Sequence, residues 1–278
     1  MNEVKALVLT GYGLNCDFET DFSLKIAGAH SERIHFNDLI SGRGHENEKV
    51  LKNYHIVVFG GGFSWADDHG AGVIMAARLR YSIGEEIEDF VRRGNLVLGI
   101  CNGFQALVNL GLLPGFNGNY KSREVALIYN DSGNFVDTWV KLQGVEDSPC
   151  IFTRGISNID LPVRHGEGKF YAPKHTIDKL IREKQVVLRY ADNNGNPAKN
   201  KWPFNPNGSL YDIAGICDST GRVLGIMPHP EAYNHFSNHP EWILKREEMS
   251  RMNKDVEKEA GEGISIFKNA VEYIKNNL

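Results

Sequence analysis

Gly99-Ile-Cys-Asn-Gly103 is the segment whose residue types and spacing say most about chemistry. It has the small-x-nucleophile-x-small spacing of a nucleophile elbow, with cysteine where hydrolases often carry serine. A strand that turns sharply into a helix crowds the backbone, so small flanks let Cys101 sit at the tip of the turn with its sulfur exposed. Free N–H groups and peptide dipoles at a helix start stabilise negative charge there. The N–H of Asn102, next along, is placed to donate to an oxyanion. The competing reading of the pentapeptide is a buried structural cysteine at a strand end.

The other cysteines test that reading. Cys217 sits in the same tripeptide, Gly215-Ile-Cys217, but Asp218-Ser-Thr-Gly221 and another strand follow, so it belongs to core or turn. Cys150 lies in a loop-like stretch with no partner in view. Cys16, in Gly13-Leu-Asn-Cys-Asp17, is the harder alternative, because it follows the first strand and open α/β sheets place their sites at strand carboxyl ends.

A thiol nucleophile needs a base that takes its proton and returns it to a leaving amine. Ten histidines compete for the role. His229, in Met227-Pro-His-Pro-Glu231, lies just past a strand-like run, and its flanking prolines restrict the local backbone. Glu231 can hold one ring nitrogen and leave the other facing the thiol, the nucleophile–base–orienter logic of a triad. Alone, Pro-His-Pro also reads as a surface turn. A metal site from His229, His235 and His239 is a further alternative, but the spacing suits no common zinc motif, and no metal is expected. Gly60-Gly-Gly62, after the third strand, lets backbone approach a ligand and aim N–H groups at developing charge. No Gly-Lys-Ser or Gly-Lys-Thr follows, so it is not a phosphate loop. The neighbouring Phe63-Ser-Trp-Ala-Asp-Asp-His69 suggests a pocket wall or contact surface.

The elements that must position these residues are visible as patterns. Residues 4–10, 30–36, 55–59 and 95–100 read as strands. Helical stretches carry Phe22, Ile26 and Ala27 on one face, then Ile83, Ile87, Phe90 and Val91, then residues 103–110. Such alternation predicts an α/β fold, an open, mostly parallel sheet flanked by helices. The second half adds strand-like runs at 123–129, 134–142, 185–190, 213–218 and 222–227, with 218–221 as a hairpin turn. A last helix covers 264–274, and the charge-rich stretch at about 235–262 reads as a solvated helical insertion on one domain spanning 1–278.

The 278 residues are 41% hydrophobic and 24% charged, with a net charge of −4, so nothing general favours nucleic acid or an anionic membrane as partner. No apolar run approaches a membrane span, and the first residues lack a signal-peptide pattern. Four scattered cysteines argue against a disulfide framework, which points to the cytoplasm and reduced thiols.

A glycine turn, a cysteine elbow and a late His-x-Glu in this order resemble the class I (triad-type) glutamine amidotransferases, which share a flavodoxin-like sheet. Within that class the chain is similar to the glutaminase subunits of phosphoribosylformylglycinamidine synthases, of purine biosynthesis. That similarity rests on Gly13-Leu-Asn-Cys-Asp17, Gly61-Gly-Phe-Ser64, Gly99-Ile-Cys-Asn-Gly-Phe-Gln105, His165-Gly-Glu-Gly168, Asn207-Gly-Ser209 with Ile213-Ala-Gly-Ile-Cys217, and Met227-Pro-His-Pro-Glu231. The resemblance implies Cys101 as nucleophile, His229 as base and Glu231 as its orienter. It implies backbone oxyanion donors at Gly62 and Asn102, and Gln105 in binding glutamine. His165 lies near the substrate in the family but receives no catalytic role. The implied reaction hydrolyses L-glutamine through a thioester and passes ammonia to a synthetase subunit, with a small accessory subunit in the assembly. ATP and magnesium belong to that synthetase, and no cofactor is expected in this chain. Gly60 replaces a usual proline, 65–69 departs from Tyr-Gly-Asp-Tyr, and 174–201 and 234–261 diverge, which affects the partner interface. An amidotransferase serving a different acceptor, and a catalytically silent interaction subunit, are the rival readings.

Overall fold

Ile56-Val-Val-Phe59 and Leu96-Val-Leu-Gly-Ile100 offer no polar position to turn to solvent, so strands made of them must be covered on both faces. The computed structural model, which describes residues 3–41, 50–252 and 260–277, places both at the centre of a sheet, with every residue buried. The chain runs β1 (Lys5–Thr10), α1 (Asp17–Ile26), β2 (His30–His35), α2 (Phe36–Ser41), β3 (Ile56–Phe59), α3 (Val73–Arg92), β4 (Leu96–Ile100) and α4 (Asn102–Leu110). It continues through β5 (Ala126–Ile128), β6 (Val136–Gly144), β7 (Asn158–His165), β8 (Lys169–Tyr171), α5 (Lys174–Arg182) and β9 (Val186–Ala191). The last elements are β10 (Ile213–Cys217), β11 (Val223–Ile226), α6 (Trp242–Arg251) and α7 (Ile264–Asn277).

One nine-stranded sheet has the order β2-β1-β3-β4-β11-β10-β9-β6-β7. From β2 to β11 the strands are parallel, the 2-1-3-4-5 order of a flavodoxin-like sheet with β11 as the fifth strand. From β11 to β7 every pairing is antiparallel, so the second-half runs at 134–142, 185–190 and 213–218 extend the same sheet, while the run at 123–129 does not. Residues 218–221 do turn β10 into β11 as a hairpin, with the Gly221 N–H donating to Asp218 at 3.1 Å. A separate ribbon pairs β5 with β8. Two helical groups flank the sheet: α1 packs with α7, and α3 with both α2 and α4. No helix among the described residues is long and apolar enough to cross a membrane.

Three expectations are corrected or extended. Phe22 and Ile26 lie on an outward face of α1, with Phe22 54% exposed. The helix instead buries Asp17, Thr20, Ser23 and Leu24, and its polar groups are satisfied locally. Thr10 and Arg33 donate to Asp17 at 2.8 and 2.9 Å, and Thr20 donates to the Cys16 carbonyl at 2.6 Å. The divergent stretch 174–201 contains α5, which was not read, and the sheet strand β9, which matches the run read at 185–190. In the charged stretch the helix is limited to Trp242–Arg251 and buries nothing, while 253–259 lie outside the described residues.

Candidate active site

Parallel pairing decides which loops meet. Phe59 of β3 stands opposite Gly99 of β4, and Ile100 of β4 opposite Ile226 of β11. The three strands therefore end side by side, and the glycine loop, the cysteine and the histidine loop emerge from adjacent carboxyl ends. Cys101 continues the ladder by one bond, its N–H donating to the Ile226 carbonyl at 2.8 Å.

Cys101 then turns the chain at φ 50° and ψ −106°, a left-handed conformation unusual for a residue with a side chain. The flanking glycines have steric reasons. A Cβ on Gly103 would lie 1.8 Å from the Phe59 carbonyl oxygen, and one on Gly99 would lie 2.9 Å from the backbone of Gly103. Asn102 opens α4, so its N–H is a first-turn donor with no acceptor inside the helix. Its side chain binds the loop that follows β3: Oδ1 accepts the Ser64 N–H at 3.1 Å, and Nδ2 donates to Asp67 at 2.9 Å.

Gly62 has φ 150°, and a Cβ there would meet the Gly13 carbonyl oxygen at 2.4 Å. The loop after β1 locks onto this segment, with the N–H groups of Asn15 and Phe63 donating to Gly61 and Gly13 at 3.2 and 2.9 Å. On Gly61 a Cβ would lie 2.6 Å from Cε1 of His229. The absence of a side chain is what lets the imidazole rest against the glycine loop.

His229 and Glu231 are 2% and 1% exposed, and His229 Nδ1 lies 2.6 Å from Glu231 Oε1. Burial opposes charge on the ring, but the Glu231 carboxylate and Cys101 together raise the His229 pKa well above its usual value. Nε2 is buried with no hydrogen-bond partner among the described residues, so it is the nitrogen left for Cys101. The Cys101 thiol donates to the Arg164 carbonyl at 3.5 Å.

His165 is distinct from this pair. It is 2% exposed, with Nδ1 3.1 Å from Asn130 Oδ1 and Nε2 3.3 Å from Asn207 Nδ2. Burial, aided by His229, lowers its pKa to about 3, so the ring is neutral. The trio of His229, His235 and His239 does not gather: His235 pairs with Ser237, and His239 packs on Trp139 and faces Asp160. Cys217 is in the core as expected, with Sγ 3.8 Å from Ser148 Oγ, and Cys150 is buried too. Cys16 does reach the site, with Sγ 3.9 Å from His229 Nδ1.

Gln105, one turn into α4, is 4% exposed; its Oε1 accepts Asn102 Nδ2 at 3.0 Å, and its Nε2 donates to the Glu167 carbonyl. It thus ties the elbow helix to the turn between β7 and β8. Sequence reasoning missed Asp67 and the Arg164 carbonyl. Asp67 is pushed up to about 6 by burial and then by the Glu167 carboxylate, although Asn102 opposes the shift. Its position in the segment read as a pocket wall was the available signal; a backbone carbonyl gives none.

A cysteine elbow beside a histidine held by a carboxylate is the arrangement found in triad-type cysteine enzymes of the acyl-transfer class. A family model described as the CobB/CobQ-like glutamine amidotransferase domain matches residues 3–274. Phosphoribosylformylglycinamidine synthase subunit PurQ of Methanococcus maripaludis strain C7 is 43% identical over 269 residues, 97% of each chain. The subunit of that name from Dehalococcoides mccartyi is 40% identical over 275 residues, 99% of each. Among solved structures, that of PurLQS from Thermotoga maritima aligns with a TM-score of 0.69 and 28% identity, covering 98% of this chain and 100% of that one. The chain belongs to the glutamine amidotransferase family, among relatives that carry the name PurQ.

Proposed function

We propose that this chain is the glutaminase subunit of a phosphoribosylformylglycinamidine synthase, releasing ammonia from L-glutamine for a synthetase subunit. The observation that carries the reading is the buried His229–Glu231 pair, 2.6 Å apart, on the strand end next to the Cys101 elbow. Cys101 Sγ attacks the side-chain amide carbon of glutamine while His229 Nε2 takes the thiol proton. Glu231 stabilises the imidazolium so formed. The N–H groups of Gly62 and Asn102 hold the tetrahedral oxyanion, where one lost donor typically costs about 10²–10³ in turnover. Collapse breaks the C–N bond, His229 returns its proton to the leaving nitrogen, and ammonia departs. Water, deprotonated by His229, then attacks the γ-glutamyl thioester to give glutamate and the free thiol.

Gln105 shapes the pocket for glutamine through the Glu167 turn. The ammonia passes to a synthetase that uses ATP and magnesium to convert formylglycinamide ribonucleotide to formylglycinamidine ribonucleotide; this chain needs no cofactor of its own. The assembly named for the Thermotoga maritima structure supports a synthetase partner and a small accessory subunit. The chain acts in the cytoplasm, an environment that suits its four free cysteines.

The test is intact-protein mass spectrometry after brief exposure to 6-diazo-5-oxonorleucine, with peptide mapping and glutamine as competitor. One glutamine-protected adduct on Cys101 is expected. Labelling spread over Cys16 and Cys217, in the free chain and with the synthetase present, would overturn the assignment. Cys101→Ala should abolish glutamine-dependent synthesis and spare synthesis from added ammonia.

A further inference from the structure

The proposed reaction uses one thiol of the two at the site. Cys16 precedes α1, half-buried, and its Sγ approaches the Nδ1 edge of His229 that Glu231 also occupies. The Cys16 sulfur, the His229 ring nitrogen and a Glu231 oxygen lie within 4.8 Å of one another, the one such Cys/His/carboxylate group among the described residues. Independently, Glu231 Oε2 is buried with no hydrogen-bond partner among those residues. Burial pushes the Cys16 thiol up, which disfavours its free thiolate.

We infer that Cys16, His229 and Glu231 bind a thiophilic divalent cation, Zn²⁺ foremost, in competition with the use of His229 as a base. The thiolate selects a borderline-soft cation over magnesium or calcium. In a tetrahedral zinc site the bond lengths require S···N of about 3.6 Å and N···O of about 3.4 Å between ligands. The S···N separation is already 3.9 Å, while Nδ1 and Oε1 stand 2.6 Å apart. That shorter distance is a hydrogen bond, and it relaxes once the shared proton leaves. Gly61 keeps the space open, since a Cβ there would lie 3.1 Å from Cys16 Sγ. Binding through Nδ1 shifts that nitrogen's proton to Nε2, so the imidazole stays neutral, and releases the Cys16 thiol proton to solvent, with no electron transfer; water fills the fourth position. The ring then loses its bond to Glu231, and acceptance of the Cys101 proton is impaired. The binding stands apart from the proposed reaction; the competition rests on it.

Zn²⁺ and Co²⁺ are titrated into the full chain against a chromophoric chelator, with Cys101→Ser and Cys16→Ser as variants. Cys101→Ser should bind one equivalent of Zn²⁺ as tightly as the wild type, and Cys16→Ser more than about tenfold more weakly. The Co²⁺ form of Cys101→Ser should show thiolate-to-cobalt charge-transfer absorption, which the fully buried Cys150 and Cys217 cannot supply. Absence of that absorption overturns the site even if Cys16→Ser does not fold. Binding lost in Cys101→Ser but kept in Cys16→Ser also overturns it, assigning the cation to the nucleophile. Saturating Zn²⁺ should slow the labelling of Cys101 by 6-diazo-5-oxonorleucine; unchanged labelling with Zn²⁺ bound refutes the competition. A chain that binds Zn²⁺ as expected but is never labelled counts against the proposed function instead.

Discussion

The backbone N–H of His229 donates to the carbonyl of Pro162 at 2.8 Å. Pro162 belongs to β7, the strand at the far edge of the sheet, and the next carbonyl but one along it, that of Arg164, accepts the Cys101 thiol at 3.5 Å. An edge strand has backbone groups left over from pairing. Here they reach the loops of both His229 and Cys101, so the antiparallel half of the sheet helps to build a site whose side chains come from the parallel half.

Against that fixed backbone, the contribution of Glu231 can be isolated. Glu231→Gln keeps the size of the side chain at a position 1% exposed but removes the charge that favours the imidazolium. The glutamine-dependent kcat should fall roughly 10³–10⁴-fold, as when the carboxylate of a serine-protease triad is replaced. Synthesis from added ammonia should be untouched. Steady-state rates with both nitrogen sources check this, and a fall of less than tenfold would mean that Glu231 does not orient His229.

How much of this was legible in the sequence depended on what each residue touches. The strands β1, β3, β4 and β11 were readable because burial on both faces forces unbroken apolar runs. The strand β7 was not read, because Pro162 interrupts its pattern and only an edge position admits proline there. The helix α5 was missed since it buries only Thr176, Ile177 and Leu180. Within the site, Cys101, His229 and Glu231 stood out because their chemistry lies in side chains at fixed spacing. Cys16 and Asp67 stood out less, since their roles depend on distances between loops far apart in the chain.

Gly103 makes a steric prediction, with Gly84 of α3 as its control. Gly103→Ala places a methyl 1.8 Å from the Phe59 carbonyl oxygen, and the contact is backbone, which cannot rotate aside. The helix α4 must move off β3, at a cost of about 3 kcal/mol or more. Gly84→Ala, in α3, meets only Arg80 Cγ at 3.9 Å. It should leave stability unchanged or raise it by up to about 1 kcal/mol. Urea unfolding of both variants checks the opposite signs.

Gln105 should affect glutamine binding through the turn it holds. Gln105→Ala removes both the bond to Asn102 and the bond to the Glu167 carbonyl. Two lost hydrogen bonds of about 0.5–1.5 kcal/mol each should raise KM for glutamine at least about fivefold, with a smaller change in kcat. Alkylation of Cys101 by iodoacetamide should proceed at the wild-type rate. A fall in kcat at unchanged KM would place Gln105 in the chemical step.

His165 gives the acid side of the stability profile. Its ring is buried and neutral, with a pKa lowered to about 3 against an ordinary value of 6.5. Between those values the unfolded chain binds a proton that the folded chain refuses. The unfolded state therefore gains as pH falls, and His165 removes about 1.4 kcal/mol of stability per pH unit at full effect. Replacement by asparagine, which cannot take up that proton, should cost stability at pH 8 through the lost bonds to Asn130 and Asn207. The same replacement should flatten the slope below about pH 6 relative to the wild type. His229, whose pKa is raised, contributes with the opposite sign in both proteins and cancels from the difference. Denaturant titrations from pH 8 to pH 4.5 supply the two slopes. Parallel slopes would mean that His165 takes up its proton without unfolding, and that the Asn130–His165–Asn207 network tolerates a charged ring.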